Sequence, residues 1–281
     1  MYLPFFKLRE KPFSVTSDPQ FVYLSQKHHE ALDHITYGIQ SRVGFIEITG
    51  EIGTGKTTLC RLLLNQLGSE VKTAFIFNSN LSEMQFMQTF LFDLGLPTAR
   101  KNRHALFSDL NRYLIEQLSL HHNVVLIIDE AQNLRVPLLE QIRMLSNLET
   151  EKEKLIQIVL VGQPELRAKL NLPHLRQLRQ RIAIRYHISP LAGHDVRPYI
   201  EHRLRVASAN GQIPHFDDSA IEKIYTYSEG VPRLINTVCD KALLLSFVME
   251  KREVSSDVIE ESIREIEDTD AVTGAGTGVA V

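Results

Sequence analysis

Gly50-Glu51-Ile52-Gly53-Thr54-Gly55-Lys56-Thr57 stands between the apolar run Phe45-Ile46-Glu47-Ile48 and the helical stretch Leu59-Cys60-Arg61-Leu62-Leu63-Leu64. A strand, then a glycine loop, then a helix is the signature of a phosphate cradle. A polyphosphate presents closely spaced negative oxygens, and backbone N–H groups at a helix N-terminus meet them with the positive end of the dipole. Gly50, Gly53 and Gly55 let the backbone curl around such a ligand, because a residue without Cβ accepts positive φ and close approach. Lys56 is placed to reach the β and γ phosphates, and the Thr57 hydroxyl to sit on Mg²⁺. Gly50, Glu51, Ile52, Gly53, Thr54, Gly55, Lys56, Thr57 and Thr58 are therefore the expected ATP-binding segment, with Thr57 also a Mg²⁺ ligand.

Outward from the loop, apolar runs bounded by breakers recur at 73–77, 124–128, 156–161 and 182–188, and with 45–48 they read as buried parallel strands. Helical spacing fills the gaps, at 83–94, 108–120 and 138–148. Such alternation builds an α/β sheet covered by helices. After Pro190 the strands stop, and 197–209, 219–228, 232–249 and 256–266 read as the helices of an all-helical appendage. The small, glycine-rich end from Thr273 predicts a flexible tail or linker.

A second piece of chemistry closes the run Val124-Val125-Leu126-Ile127-Ile128 with Asp129-Glu130. In a parallel sheet, ligands gather at the carboxyl ends of strands, where these two residues emerge. Asp129 is expected to hold Mg²⁺ beside Thr57, and Glu130 to polarise the attacking water, since phosphoryl transfer needs positioning and electrostatics more than a covalent nucleophile. The next buried run ends in Gly162-Gln163-Pro164, which puts Gln163 beside the γ phosphate and the water. In Gly230-Val231-Pro232-Arg233, Pro232 suits the first helical position and leaves Arg233 at a helix start, with its guanidinium expected on the phosphates.

Composition sets outer bounds. With 281 residues, 43% of them hydrophobic and 23% charged, the chain can bury an ordinary core, and its net charge of -3 offers no global attraction to nucleic acid. Cys60 and Cys239 are too few for a disulfide framework and read as two buried free thiols in a reducing compartment. The N-terminus reaches Lys7 too early for a signal peptide, and no apolar run approaches the ~20 residues of a membrane helix, so the cytoplasm is expected.

GEIGTGKT, then VVLIIDEAQ, the sensor-like Gln163 and the GVPR motif together resemble the AAA+ ATPases, whose RecA-like α/β domain carries a small helical lid. The likeness is closer to the ExeA/GspA-type ATPases of bacterial general secretion and their relatives in pilus and polysaccharide-export clusters. It is carried by Phe13-Ser14-Val15-Thr16-Ser17-Asp18-Pro19-Gln20-Phe21-Val22-Tyr23-Leu24, by His28 through Leu32 and by Gly44 through Gly50. On this resemblance, residues 1–40 form an N-terminal linker and first helix, 41–190 the RecA-like core, 191–268 the helical lid and 269–281 the tail. It implies adenine contacts from Tyr23, Leu24 and His28. It also implies an arginine finger supplied to a neighbouring copy, best matched by Arg181, with Arg176 and Arg179 as the alternatives. A homo-oligomer with ATP at subunit interfaces follows, together with a protein partner in an envelope system. Adjacent His28 and His29 cannot share one helix face, so they do not suggest a metal site.

Two departures qualify the likeness. The usual AAA+ sensor is a shorter Asn, Ser or Thr than Gln163, and the secretion ATPases of this type continue into a membrane helix and a periplasmic peptidoglycan-binding domain. The sequence is thus expected to be either the cytoplasmic portion of such a protein or a stand-alone relative. Three functions stay open: an assembly or regulatory ATPase of a secretion or pilus system, which is preferred; a DNA-binding AAA+ protein of the transposition-helper or initiator sort; and an adaptor that binds ATP and hardly turns it over. The DNA reading draws on Arg100-Lys101-Asn102-Arg103-His104, and a helicase reading on Asp129-Glu130-Ala131-Gln132, though the latter lacks a second RecA-like domain.

Overall fold

The computed structural model describes residues 1–14, 18–77, 81–151 and 153–275, and side chains up to residue 269. Val15-Thr16-Ser17 of the secretion-type likeness and residues 276–281 of the expected tail lie outside the described residues. In chain order the elements are α1 (Tyr2–Phe5), α2 (Gln26–Gln40), β1 (Phe45–Gly50), α3 (Lys56–Gln66), β2 (Val71–Ile76), α4 (Glu83–Asp93), α5 (Arg103–Ser119), β3 (Asn123–Ile128), α6 (Val136–Leu145), β4 (Gln157–Gly162), α7 (Pro164–Leu170), α8 (Arg176–Arg181) and β5 (Ile182–Ile188), then α9 (Gly193–Ala207), β6 (His215–Phe216), α10 (Asp218–Ser228), α11 (Pro232–Val248), β7 (Glu253–Val254) and α12 (Ser256–Ala275). They divide into two compact units, one of residues 26–52 and 56–189, the other of residues 1–25, 53–55 and 190–281.

The first unit is a five-stranded parallel sheet in the order β2-β3-β4-β1-β5. The central strands β1, β3 and β4 are buried at every position, as continuous apolar runs demand. The edge strands depart from that expectation, because each has a neighbour on one side only. Along β5, Ile184 and Tyr186 are half-buried while Ala183, Arg185 and His187 stay exposed, and β2 is fully buried only at Ala74 and Ile76. On the α2 side of β5, Tyr186 donates to Glu30 Oε2 at 2.8 Å. Helix α2 can lie close because of Gly38, where a Cβ would fall 2.6 Å from Ile46 Cδ1 and 2.8 Å from Ile184 Cδ1. The main core joins Phe45, Leu126, Ile128 and Leu160 of the sheet to Phe86, Phe90, Leu110 and Leu139 of the helices.

Local chemistry sets the helix starts. Asn102 Oδ1 accepts from the Ala105 amide at 2.9 Å, so α5 begins at Arg103, more than a full turn before the helix start expected at Ser108. Ser82 and Gln85 form a reciprocal capping box at the start of α4.

The second unit gathers α1 and α9–α12 around Leu204, Ile224, Ile235, Val238 and Val254. The N-terminal segment belongs to it: Tyr2, Phe6, Phe13 and Phe21 are buried in the same cluster. Arg203 fastens that segment. It is 7% exposed, its Nε donates to Pro12 O at 2.6 Å and its Nη2 to Ser14 O at 3.0 Å, and its guanidinium lies 5.1 Å from the Phe21 ring.

Two expectations for this region are corrected. Strands do not stop after Pro190: β6 and β7 pair in parallel, His215 with Glu253 and Phe216 with Val254. Each is two residues long and runs directly into a helix, too short for an alternating pattern, and only Phe216 and Val254 are buried. In addition, α12 continues through Ala275, into the segment whose composition predicted a linker. Cys60 and Cys239 are both free and buried, and burial pushes each thiol above its ordinary range.

Candidate functional site

Strands β3, β4 and β1 are adjacent, so the residues that leave their carboxyl ends share one rim of the sheet. After β1 the chain turns through Gly53 at φ 81° and Gly55 at φ 91°, a left-handed backbone that only glycine adopts without strain. Glu51 and Ile52 are exposed, while Thr54 is fully buried. Lys56 opens α3 and folds back across the loop, its Nζ donating to Gly50 O and to Glu51 O, both at 2.8 Å. That amine is 7% exposed; burial lowers its proton affinity, and the carboxylates of Glu130, Asp129 and Glu51 oppose the shift.

Thr57 Oγ1 donates to Asp129 Oδ2 at 2.6 Å, joining the phosphate loop to the end of β3. Asp129 is 2% exposed. Burial raises its pKa, while the Thr57 hydroxyl and the Glu130 amide, which donates to Oδ1 at 2.8 Å, hold it down. A hydroxyl and a carboxylate in contact at the start of an eleven-residue helix form a hard oxygen donor set, which fits magnesium next to a polyphosphate.

Glu130 sits at φ 51°, ψ 36°, a left-handed conformation that costs a non-glycine residue about 1–2 kcal/mol. Its Oε2 accepts from Gln132 Nε2 at 2.5 Å and from Gln163 Nε2 at 3.3 Å. Gln163, the residue before α7, also donates its backbone N–H to Gln132 Oε1 at 3.1 Å. The structure thus brings Lys56, Thr57, Asp129, Glu130 and Gln163 to one rim. Gln132 joins them; sequence reasoning passed over it, although it stands in the quoted tetrapeptide two residues after Glu130.

The remaining expected residues are placed as follows. Arg181, at the end of α8, donates from Nη1 to Ser146 Oγ at 2.5 Å and to Arg143 O at 3.3 Å, so its guanidinium is anchored within its own unit. Arg179 Nη1 donates to Asn171 Oδ1 at 3.2 Å, and Arg176 is exposed. Tyr23 and Leu24 belong to the helical unit, where Tyr23 donates to Asp195 Oδ1 at 3.2 Å and meets the Tyr199 ring edge-on at 6.1 Å. His28 is buried in α2 of the sheet unit. Arg233 follows Pro232 in the first turn of α11. Gly53 groups with the same unit as Arg233, and a Cβ on Gly53 would fall 2.6 Å from Arg233 Cβ. The basic run before α5 is partly neutralised, Lys101 pairing with Asp109 at 2.5 Å and Arg103 with Glu83 at 3.0 Å. No helix among the described residues is long and apolar enough to cross a membrane.

Residues 39–170 match the AAA domain family. The chain is 45% identical over 248 residues to general secretion pathway protein A of Aeromonas hydrophila, an alignment that covers 88% of this chain and 45% of that protein. The chain therefore spans less than half the length of this relative. Among solved structures it resembles the Aeropyrum pernix ORC2 protein in ADPNP-ADP complexes, with TM-score 0.67 and 18% identity over 92% of this chain and 72% of that one. It also resembles Cdc6p from Pyrobaculum aerophilum, with TM-score 0.70 and 17% identity over 90% of this chain and 70% of that one. At such identities these two structures speak for the fold alone. The chain is of the AAA+ ATPase class, a parallel P-loop sheet with a C-terminal helical region, and is related in sequence to general secretion pathway protein A.

Proposed function

We propose that the chain binds Mg-ATP at the loop around Lys56 and hydrolyses it, with Glu130 polarising the attacking water. The observation that carries this reading is the 2.6 Å bond between Thr57 and Asp129, with the Glu130 carboxylate held beside it by Gln163. Lys56 and the first amides of α3 bind the phosphates, and Thr57 and Asp129 would hold the metal. Bound magnesium would supply charge neutralisation at the β and γ phosphates. Glu130 then works by position, needing only to orient a water for in-line attack. Tyr23, Leu24 and His28 serve the adenine, Arg233 serves the phosphates from the start of α11, and Arg181 serves the site of a neighbouring copy in a homo-oligomer.

The client of this cycle follows from the secretion relative. We assign the chain to the cytoplasmic side of a bacterial envelope secretion, pilus or polysaccharide-export system, where lid movement on hydrolysis drives or regulates assembly. The functional module runs from the core at 41–190 to the lid at 191–268.

Magnesium-dependent phosphate release from ATP tests the reading. Turnover is expected with Mg²⁺, to vanish on chelation with EDTA, and to fall at least ~100-fold in Glu130→Gln with nucleotide affinity retained. Equal turnover in the wild type and Glu130→Gln would sink the mechanism. Turnover near background in the wild type, with ATP-dependent oligomerisation intact, would select the nucleotide-controlled adaptor instead. A salt-sensitive, ATP-dependent shift of duplex DNA would restore the DNA-binding reading, against the pairing of Lys101 and Arg103 with acidic neighbours.

A further inference from the structure

We propose that Gln132 is the positioning residue of the Glu130 carboxylate, tying it to the end of β4 through both ends of one carboxamide. The inference rests on the ATPase reading and adds a residue to it. Gln132 Nε2 donates to Glu130 Oε2 at 2.5 Å, while Gln132 Oε1 accepts the Gln163 N–H at 3.1 Å. The Gln163 side chain, from the other side, donates to the same Oε2 at 3.3 Å. One carboxylate oxygen is thereby committed to two amide donors, which leaves Oε1 for the water.

Two further observations show that the turn is built around this side chain. Lys169 of α7 donates from Nζ to the backbone oxygen of Gln132, and to Leu134 O at 3.0 Å, which pins the 131–133 turn to the helix that follows Gln163. Strand β4 ends at Gly162, where a Cβ would lie 2.7 Å from Gln132 Oε1, so the strand end leaves the room that the carboxamide fills. The carboxamide serves both partners from separate atoms, its nitrogen donating to Glu130 and its oxygen accepting from Gln163. A glutamate here would face Glu130 with a second negative oxygen, and asparagine is one methylene too short. The pinned turn also explains how Glu130 is kept in its left-handed backbone, a conformation that persists only where the surroundings over-determine it. Gln132 makes no bond to Lys56, Thr57 or Asp129, so its loss leaves the phosphate and metal ligands in place.

The test compares wild type, Gln132→Ala, Gln132→Met and Glu130→Gln in the full chain. In Gln132→Ala, kcat for ATP is expected to fall about 10- to 100-fold, while KM and the affinity for a fluorescent ADP analogue stay within about 3-fold. Placed on Glu130→Gln, the Gln132→Ala change is expected to cost nothing further, because the group it positions is already gone. If Gln132→Ala does not fold, Gln132→Met, close in size but without the amide donor and acceptor, carries the same comparison. A readout without turnover is a double-mutant cycle of Glu130→Ala and Gln132→Ala on the unfolding equilibrium of the nucleotide-free protein. The two effects are expected to fall short of multiplying by about 3-fold or more. A wild type that hydrolyses ATP, with kcat in Gln132→Ala within 2-fold of it, overturns the proposal and leaves the ATPase reading standing. A parallel loss of ADP-analogue affinity, or independent effects in the cycle, also overturns it. A wild type with no turnover overturns both.

Discussion

Lys56→Ala is expected to lower ATP affinity at least ~100-fold and to abolish measurable turnover. Two effects add in this substitution. The direct one is the loss of a charge-assisted contact to phosphate from a 7%-exposed amine, and removing one partner of a desolvated charge pair costs about 2–5 kcal/mol. The indirect one is structural: Lys56 Nζ bridges Gly50 O and Glu51 O at 2.8 Å each, and without it the loop loses the side chain that holds its first turn. Folding should survive, because burying that amine already opposes its charge and alanine is a good helix residue at the start of α3. Titration of a fluorescent ATP analogue, alongside a thermal melt, separates the two outcomes. Affinity within 3-fold of wild type would remove Lys56 from the phosphate site.

Gly230→Ala is expected to destabilise the helical unit by about 3 kcal/mol or more, and to leave little folded protein near 37 °C. Gly230 has φ 78°, and a Cβ there would lie 1.9 Å from the backbone oxygen of Leu191. The left-handed backbone alone costs alanine about 1–2 kcal/mol. The clash adds to this and cannot be relieved by a rotamer, because the obstructing atom is main chain, held by the Leu191 N–H bond to Gly230 O at 2.9 Å. Gly211→Ala supplies the control. It has φ 80° with open space around the position, so only the backbone penalty of about 1–2 kcal/mol is expected. Equal melting temperatures for the two variants would show that the approach of Leu191 is not what requires glycine at 230. The result bears on the reading of Gly-Val-Pro-Arg as one functional motif, since its glycine answers a packing demand while its arginine is the proposed phosphate ligand.

Much of this molecule was legible along the chain. The five apolar runs became the five strands of the sheet, because a strand covered on both faces must be apolar throughout, and that leaves a local trace. The edge strands were harder to read. Ile182–Ile188 is as apolar at its ends as a central strand, and only the sheet order shows that β5 has one neighbour and an exposed side. The two-residue strands His215–Phe216 and Glu253–Val254 were invisible for want of length. Nor did the sequence show that Tyr2, Phe6, Phe13 and Phe21 pack with the helical unit, since their partners lie some 200 positions away and Arg203, which fastens them, resembles any helical arginine.

The site divides along the same line. The phosphate loop, the acidic pair and the glutamine after β4 each carry their chemistry in a few consecutive residues, so the sequence alone names Lys56, Thr57, Asp129, Glu130 and Gln163. Tertiary structure settles what those residues do to one another. The order β3-β4-β1 puts three distant strand ends on one rim, brings Thr57 to Asp129, and passes the Gln132 carboxamide between Glu130 and Gln163 over the space at Gly162. Hydrogen bonds of that kind depend on strand order and on angstrom-scale clearances, which no spacing along a single chain encodes.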